Sequence, residues 1–508
     1  MTALRAPAGR QAATAALELL VFITGTASLG AEIAAARLMA PFFGASTVIW
    51  ANTIAVVLVA LSVGYRWGGR LADRRPDERS LRWLVLLASV LLALVPLVAH
   101  PFLTLSVRAF ARISIGAFIA SLFGTLALVS VPVALLGAAS PWALRLRVRS
   151  VTNAGAVAGR LYAISTAGSL VGTFLAALAL VPHVGTQRTF LVLAAIVAGA
   201  AAPGLGRRAL VVPALIALGL ALPVGTVKPG EGGRVLAEVE TPYQFAQVVQ
   251  APDGSRRLEL NEGQAVHSLW RPGTVLTGDY WDGFLVAPFA VLDRPPARVA
   301  VLGTAAGTVP RAYAHYFPAT RVDAVDIDGA LFRLGERWFA LRPGPRLRLI
   351  AQDARPFLRR TRARYDAIFV DAYRQPYIPF YLTTREFFAL VRTHLTPGGV
   401  VVVNVGHPAG SDGLERALSA TLGAVFANVA RDVSERTNTL LIASDAPVTG
   451  AQLAFAQLPA DLGPLAGRTA ARLAPPLLGG DVFTDDRAPV EWLVDTSIVR
   501  YASGDTRR

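Results

Sequence analysis

The strongest constraint on this chain is a succession of long apolar stretches that fills residues 17–226 and then stops. A bilayer core about 30 Å thick needs about 20 apolar residues as helix. Backbone amides in lipid must also find their partners within the segment. Seven stretches approach that length: 17–39, 47–66, 83–104, 113–138, 159–182, 188–205 and 209–226. The last two are short and also read as a hairpin or an interfacial segment. The expectation is a transmembrane bundle of about seven helices, in a multi-pass protein of the cell membrane with the lipid bilayer as a partner. The first stretch is too long for a cleaved leader and continues into further spans, so it reads as an uncleaved helix.

Arginine orients the bundle. Residues 66–82 hold Arg66, Arg70, Arg74, Arg75, Arg79 and Arg82, and residues 145–160 hold Arg145, Arg147, Arg149 and Arg160. Basic loops stay on the cytoplasmic side. Two spans separate these loops, so both can face the cytoplasm, which also places the N-terminus inside. Seven full crossings would then leave the C-terminal half outside, whereas a domain using a cytosolic nucleotide belongs inside. The two expectations conflict. These loops hold ten of the arginines behind the net charge of +15. With no basic stripe interleaved with aromatic residues, nucleic-acid binding is not expected.

Within 159–173, Gly168 and Gly172 lie one helical turn apart, with Ser165 and Ser169 beside them. That pattern reads as close helix packing. The chain has no cysteine, which excludes disulfides, thiolate nucleophiles and cysteine-ligated metals.

From residue 230 the pattern changes. Val235–Val239, Phe245–Gln250 and Arg257–Leu260 read as short strands of a small β subdomain. Strands then alternate with helices: 299–302 is a strand, 303–308 a glycine turn and 309–316 a helix. Residues 321–325 form a strand ending at Asp326, and 331–342 a helix. Residues 346–350 form a strand ending near Asp353, and 356–362 a helix. Residues 366–370 form a strand ending at Asp371, and 384–395 a helix. Residues 397–399 make a turn and 400–405 a strand. Such alternation implies a doubly wound parallel sheet, and ligands sit at the carboxyl ends of its strands. The expected division is a helical domain over 1–228, a β subdomain over 229–285 and an α/β domain over 286–508.

Asp326 follows Gly303 by the interval that suits a carboxylate on ribose hydroxyls. Asp353 is placed to meet an adenine amino group. A single Asp in such a place is often only a helix cap. A glycine loop followed by acids at three successive strand ends makes a nucleotide site the better reading.

The C-terminal half, on these motifs, resembles spermidine synthase and its aminopropyltransferase relatives, which share the methyltransferase-like Rossmann fold. The whole layout resembles bacterial membrane proteins described as fused major facilitator/spermidine synthase. The stretches 135–141, 159–173 and 370–388, together with Thr484-Asp-Asp-Arg-Ala-Pro-Val-Glu491, carry this second likeness. The resemblance implies Asp371 as the catalytic acid. It implies Gln244, Gly303, Gly307, Asp326 and Asp353 on the adenosyl side, and Gln264, Tyr280, Tyr373 and Arg374 on the acceptor side. It implies decarboxylated S-adenosylmethionine or S-adenosylmethionine as co-substrate and a small-molecule amine as acceptor. It implies no metal, a cytoplasmic α/β domain and a possible homodimer.

The chemistry explains the acid. A primary amine with a pKa near 10 is protonated at neutral pH and must lose a proton before it attacks carbon beside a sulfonium. Two positions depart from the family pattern: Ala306 and Arg374 stand where those synthases carry aspartate. Both changes put putrescine as acceptor in doubt. Three functions are therefore weighed: an aminopropyltransferase, an S-adenosylmethionine-dependent methyltransferase acting on another acceptor, and a polyamine transporter or sensor with a non-catalytic nucleotide domain.

Overall fold

The computed structural model describes residues 8–44, 47–110, 116–148, 150–222, 225–263, 265–373 and 377–494. The chain forms two compact units. One comprises the residues up to Lys228 together with 240–245, and the other comprises most of the chain from Pro229 onward.

The first unit is helical. Among the described residues, six helices are long and apolar enough to cross a membrane: Thr14–Phe43, Ile49–Arg74, Glu78–Val107, Ile119–Arg147, Val151–Val184 and Thr186–Leu205. The expectation of about seven is thereby corrected. Residues 209–226 supply only the end of a 3-10 turn, Arg207–Leu210, and the helix Val211–Gly219. Nine residues rise about 14 Å, under half of a hydrocarbon core. Pro203, Gly204 and Gly206 break the chain after Ala201, and Gly206 has a positive φ of 97°. Asp73 accepts a hydrogen bond from Arg145 at 2.9 Å, an ion pair between the second and fourth helices.

The small residues of the fifth helix pack against the first, as their spacing suggests. A Cβ at Gly172 would lie 2.0 Å from the Thr26 carbonyl oxygen, and one at Gly168 would lie 2.1 Å from that of Phe22. Gly25 returns the fit, 2.5 Å from the Ser165 carbonyl oxygen. These are backbone-to-backbone contacts that no rotamer change relieves. Gly172→Val should push the two helices apart and lower the melting temperature of the detergent-purified protein by several degrees. Gly199→Val, where an added Cβ meets nothing within 4 Å, should leave it unchanged.

The second unit opens with an antiparallel sheet of β1 (Arg234–Glu240), β2 (Phe245–Gln250), β3 (Arg256–Leu260) and β4 (Val266–Trp270), in order β1-β2-β3-β4. The fourth strand was not expected. A larger sheet contains β5 (Arg298–Leu302), β6 (Arg321–Asp326), β7 (Leu347–Ala351), β8 (Tyr365–Val370), β9 (Leu395–Gly406), β10 (Asn428–Val433) and β11 (Asn438–Ser444). Its order is β10-β11-β9-β8-β5-β6-β7. The five strands β5 to β9 run parallel, while β11 and β10 add an antiparallel edge. The sheet is thus mixed, where a parallel one was expected. Pro397-Gly-Gly, read as a turn, is absorbed within β9 where its register against β8 shifts.

Both faces of the sheet are buried, which is why its strands read as apolar runs. Val299, Val301, Phe369, Val400 and Val402 enter one core with Tyr313 and Phe317. Leu302, Val370, Val401 and Val403 enter the other with Phe387 and Phe388. The order of connection reverses between β5 and β8, which are adjacent, so their carboxyl ends form the switch point where such sheets open a crevice.

Candidate active site

Gly303 begins the loop after β5 with φ of +89°. An added Cβ there would meet the Asp371 carbonyl oxygen at 2.3 Å and the Ala372 nitrogen at 2.5 Å. The residue type thus fixes how closely the β5 loop approaches the β8 tip. Gly307 also has a positive φ, 93°, and faces the Leu341 side chain. Between them Ala305 adopts φ of 49°, a conformation uncommon outside glycine.

Asp326, at the end of β6, organises this loop. Its Oδ2 accepts the amides of Thr304 at 3.1 Å and Ala305 at 2.8 Å, and its Oδ1 accepts that of Asp328 at 2.9 Å. The remaining loop amides are also bonded. Gly303 donates to Val325 O, Ala306 to Ser268 Oγ, and Gly307 to Thr304 O. The amides of Gly303 to Gly307 are thus all engaged within the protein. The donors that would cradle a phosphate in other glycine loops are spent on an internal carboxylate and its surroundings. Burial pushes the Asp326 carboxyl up to about 6, against the opposing pull of those amides. A carboxylate has about four lone-pair positions, so Asp326 keeps room for a hydroxyl.

Asp353 follows β7 and caps the helix Ala354–Arg360, accepting from the Arg355 amide at 2.9 Å. Its Oδ2 accepts from the Tyr381 hydroxyl at 2.7 Å. Arg355 makes a bidentate pair with Asp485, at 2.8 and 2.6 Å, and Thr384 donates to the same carboxylate. The Thr484–Arg487 motif thus holds the β7 end in place.

Asp371 stands just beyond β8. The Tyr280 hydroxyl donates to its two oxygens at 3.3 and 3.2 Å, and Asn404 Nδ2 donates to Oδ1 at 2.8 Å. Burial outweighs these donors and raises the carboxyl to about 7. Burial and the facing Asp371 charge push the Tyr280 phenol well above its ordinary range, so it stays a donor. Tyr373 turns its hydroxyl onto β9, donating to Asn404 O and accepting from the Gly406 amide. Its ring, rather than its hydroxyl, is what it can offer an acceptor.

The structure therefore gathers Gly303, Tyr280, Asp371 and Tyr373 at the switch point, with Gly307 further along the same glycine loop, Asp326 at the adjoining β6 end and Asp353 one strand further out. Gln244 lies on the Thr241–Gln244 turn, in the segment that packs with the helical unit. Gln264 and Arg374 lie outside the described residues. Sequence reasoning missed Asn404. Asn404 had a signal, being the one polar side chain in the run Val400–Val405. Among the described residues, no group of three or more His, Asp or Glu side chains could hold a metal ion.

Taken together, the switch-point crevice, the acid-organised glycine loop and a carboxylate titrating near neutrality define a Rossmann-like ligand-binding domain equipped for proton transfer. Residues 285–435 match the spermine/spermidine synthase domain. Over 210 residues the chain is 35% identical to a probable polyamine aminopropyl transferase of Bifidobacterium longum, covering 41% of this chain and 46% of that one. It is 36% identical over 112 residues to a polyamine aminopropyltransferase of Vibrio vulnificus, covering 22% and 38%. The chain spans less than half the length of these two relatives. A crystal structure of a probable spermidine synthase from Corynebacterium glutamicum aligns with a TM-score of 0.39 and 23% identity, over 50% of this chain and 99% of that one.

Proposed function

We propose that this protein is a membrane-bound transferase of the polyamine aminopropyltransferase type. It moves an alkyl group from the sulfonium of decarboxylated S-adenosylmethionine to an amine. The observation that carries the proposal is the Asp371 carboxylate, held by Asn404 and Tyr280 at the switch point and raised to about 7. A base of that strength can take a proton from an ammonium as it attacks. The new N–C bond forms as the C–S bond breaks, and the bonding pair leaves with sulfur as a neutral thioether. The proton passes to Asp371 and then to water. The charge pattern fits a cationic adenosyl ligand: the loop's donors are engaged, while Asp326 and Asp371 leave the crevice acidic. In this reading Asp326 receives ribose, Asp353 lies toward adenine, and Tyr280 and Tyr373 line the acceptor side.

The residues of the match to the synthase domain and both curated relatives support this reading. Ala306, buried where those synthases carry an acid, favours a second acceptor class. An S-adenosylmethionine-dependent methyltransferase would use the same carboxylate. Calorimetry on the full-length protein separates the two. Tighter binding of decarboxylated cofactor, with turnover on an amine panel, supports the first. Preference for the intact cofactor supports the second. Binding without turnover on any amine favours a polyamine sensor or transporter. Binding of neither overturns all three.

The pH profile follows from Asp371. Its ionised form is the active one, so kcat/KM should fall about tenfold per unit as pH drops below about 7. A profile flat down to pH 5 would remove Asp371 from the proton path.

The membrane part of the proposal rests on the six long apolar helices and on an exterior that exposes Leu58, Val59, Leu97, Leu105, Leu178 and Leu215. Six crossings, with the arginine loops inside, return the chain to the cytoplasmic side after Leu205. A cytoplasmic α/β unit is the proposal on this count, and the observation against it is Glu240, which accepts from Thr186 at the end of the sixth helix opposite the arginine loops. A reporter fused after Arg508 tests this sidedness.

A further inference from the structure

The turn joining β10 to β11 flanks the Asp371 cluster on two sides. On one side the Tyr280 backbone amide donates to the Glu435 carboxylate. On the other, Asn438 Nδ2 donates to Asn404 Oδ1 at 2.9 Å, and Asn404 donates to Asp371. The turn is closed on itself: Glu435 and Asn438 bond through their backbones, and Ser434 Oγ donates to the Asn438 carbonyl at 3.0 Å. The Thr437 hydroxyl donates to Asn438 Oδ1 at 3.2 Å.

The direction of this chain is forced. An ionised carboxylate only accepts, so Asn404 must present its NH2 to Asp371. Its carbonyl oxygen then faces away and needs a donor. Asn438 supplies it, and the Thr437 hydroxyl holds the Asn438 amide in the matching sense. Asn404 is 2% exposed, so without Asn438 its buried oxygen would lack this donor and its amide would be free to turn over.

We propose that Asn438 is a positioning residue for the transfer reaction, acting through Asn404 to hold the Asp371 carboxylate against the acceptor, and that the β10–β11 turn is the element that sets this geometry. The inference rests on the reading of Asp371 as the base. Asn438 lies beyond residues 285–435, so the domain match does not reach it.

The ionisable groups facing Asp371 are Tyr280 from the turn before the Gly283 helix and Tyr373 from its own loop. Glu435 stands behind the Tyr280 amide. The glycine loop contributes none, β9 and β11 contribute the neutral Asn404 and Asn438, and Arg374 lies outside the described residues. The amide is therefore the adjustable neighbour.

The test is Asn438→Leu, which keeps the volume and deletes the donor. Infrared difference spectra against Asp371→Asn follow the Asp371 carboxyl directly, without turnover. Its midpoint should rise by about one pH unit, and kcat at pH 7 should fall about fivefold with KM for the adenosyl substrate unchanged. Asn438→Asp, nearly isosteric and unable to donate when ionised, should shift the midpoint at least as far and covers the case where the leucine variant fails to fold. A midpoint unchanged in a folded variant overturns the proposal. A shifted midpoint with no turnover on any amine would instead leave the positioning intact and sink the transferase reading.

Discussion

Asp371→Asn should reduce turnover by two to four orders of magnitude while leaving affinity for the adenosyl substrate within a few-fold. General-base contributions are of that size. Asn404 and Tyr280 can still hydrogen-bond the asparagine, so the crevice should keep its shape. The same variant should be more stable than its parent at pH 8. The folded carboxyl titrates at about 7, above the ordinary value near 3.9. Between those values the folded state holds a proton that the unfolded state has released, so stability falls as pH rises toward 7 and stays low above it. A permanently neutral side chain escapes that loss. Melting temperatures at pH 5 and pH 8 should therefore show a variant advantage that widens at pH 8. Retention of more than a tenth of the activity would remove Asp371 from its role.

Gly303→Ala should be nearly as damaging, for a different reason. The new methyl carbon would lie within 2.6 Å of three backbone atoms of Asp371 and Ala372, and none of them can swing aside. The φ of +89° adds about 1–2 kcal/mol of conformational cost for a residue with a side chain. The β5 loop or the β8 tip must move, which takes Asp371 away from the bound ligand. Binding and activity should both drop below detection, and the melting temperature should fall by several degrees. Gly307→Ala is the comparison. Its added carbon meets only the Leu341 side chain, at 2.6 Å, which can adopt another rotamer, so its loss should be clearly smaller. Equal effects at the two positions would contradict the close-approach argument.

The acids of the site were legible because a parallel strand buried on both faces leaves few places for a charge except its end. Asp371 follows an apolar run, while β6 and β7 carry Asp323 and Arg348 as an ion pair within the strands, and the structure places Asp326, Asp353 and Asp371 each at a strand tip. Their detailed partners were not legible. That Asp326 would gather the glycine-loop amides depends on a turn geometry with Ala305 at positive φ, which no residue type there announces. Asn404 is invisible to a periodicity argument because it interrupts a valine run without altering its length. The β10–β11 hairpin was missed because its turn, Ser434-Glu-Arg-Thr437, has no glycine or proline to mark it. In the helical half, six helices among the described residues reach spanning length where about seven were expected. Residues 209–226 are apolar enough to count, but their described helix ends at Gly219 after nine residues. The glycine contacts between the first and fifth helices were readable because spacing by four has few other uses in an apolar helix.

The self-contained glycine loop bears on which metabolites compete for this crevice. A loop whose amides are already committed to an aspartate meets a phosphate with negative charge and no open donors. Adenine nucleotides, far more abundant in cells than any sulfonium, share the adenosine portion of the proposed substrate but carry that phosphate. In the proposed function, nucleotide binding is thereby disfavoured by electrostatics and by loop donors already in use.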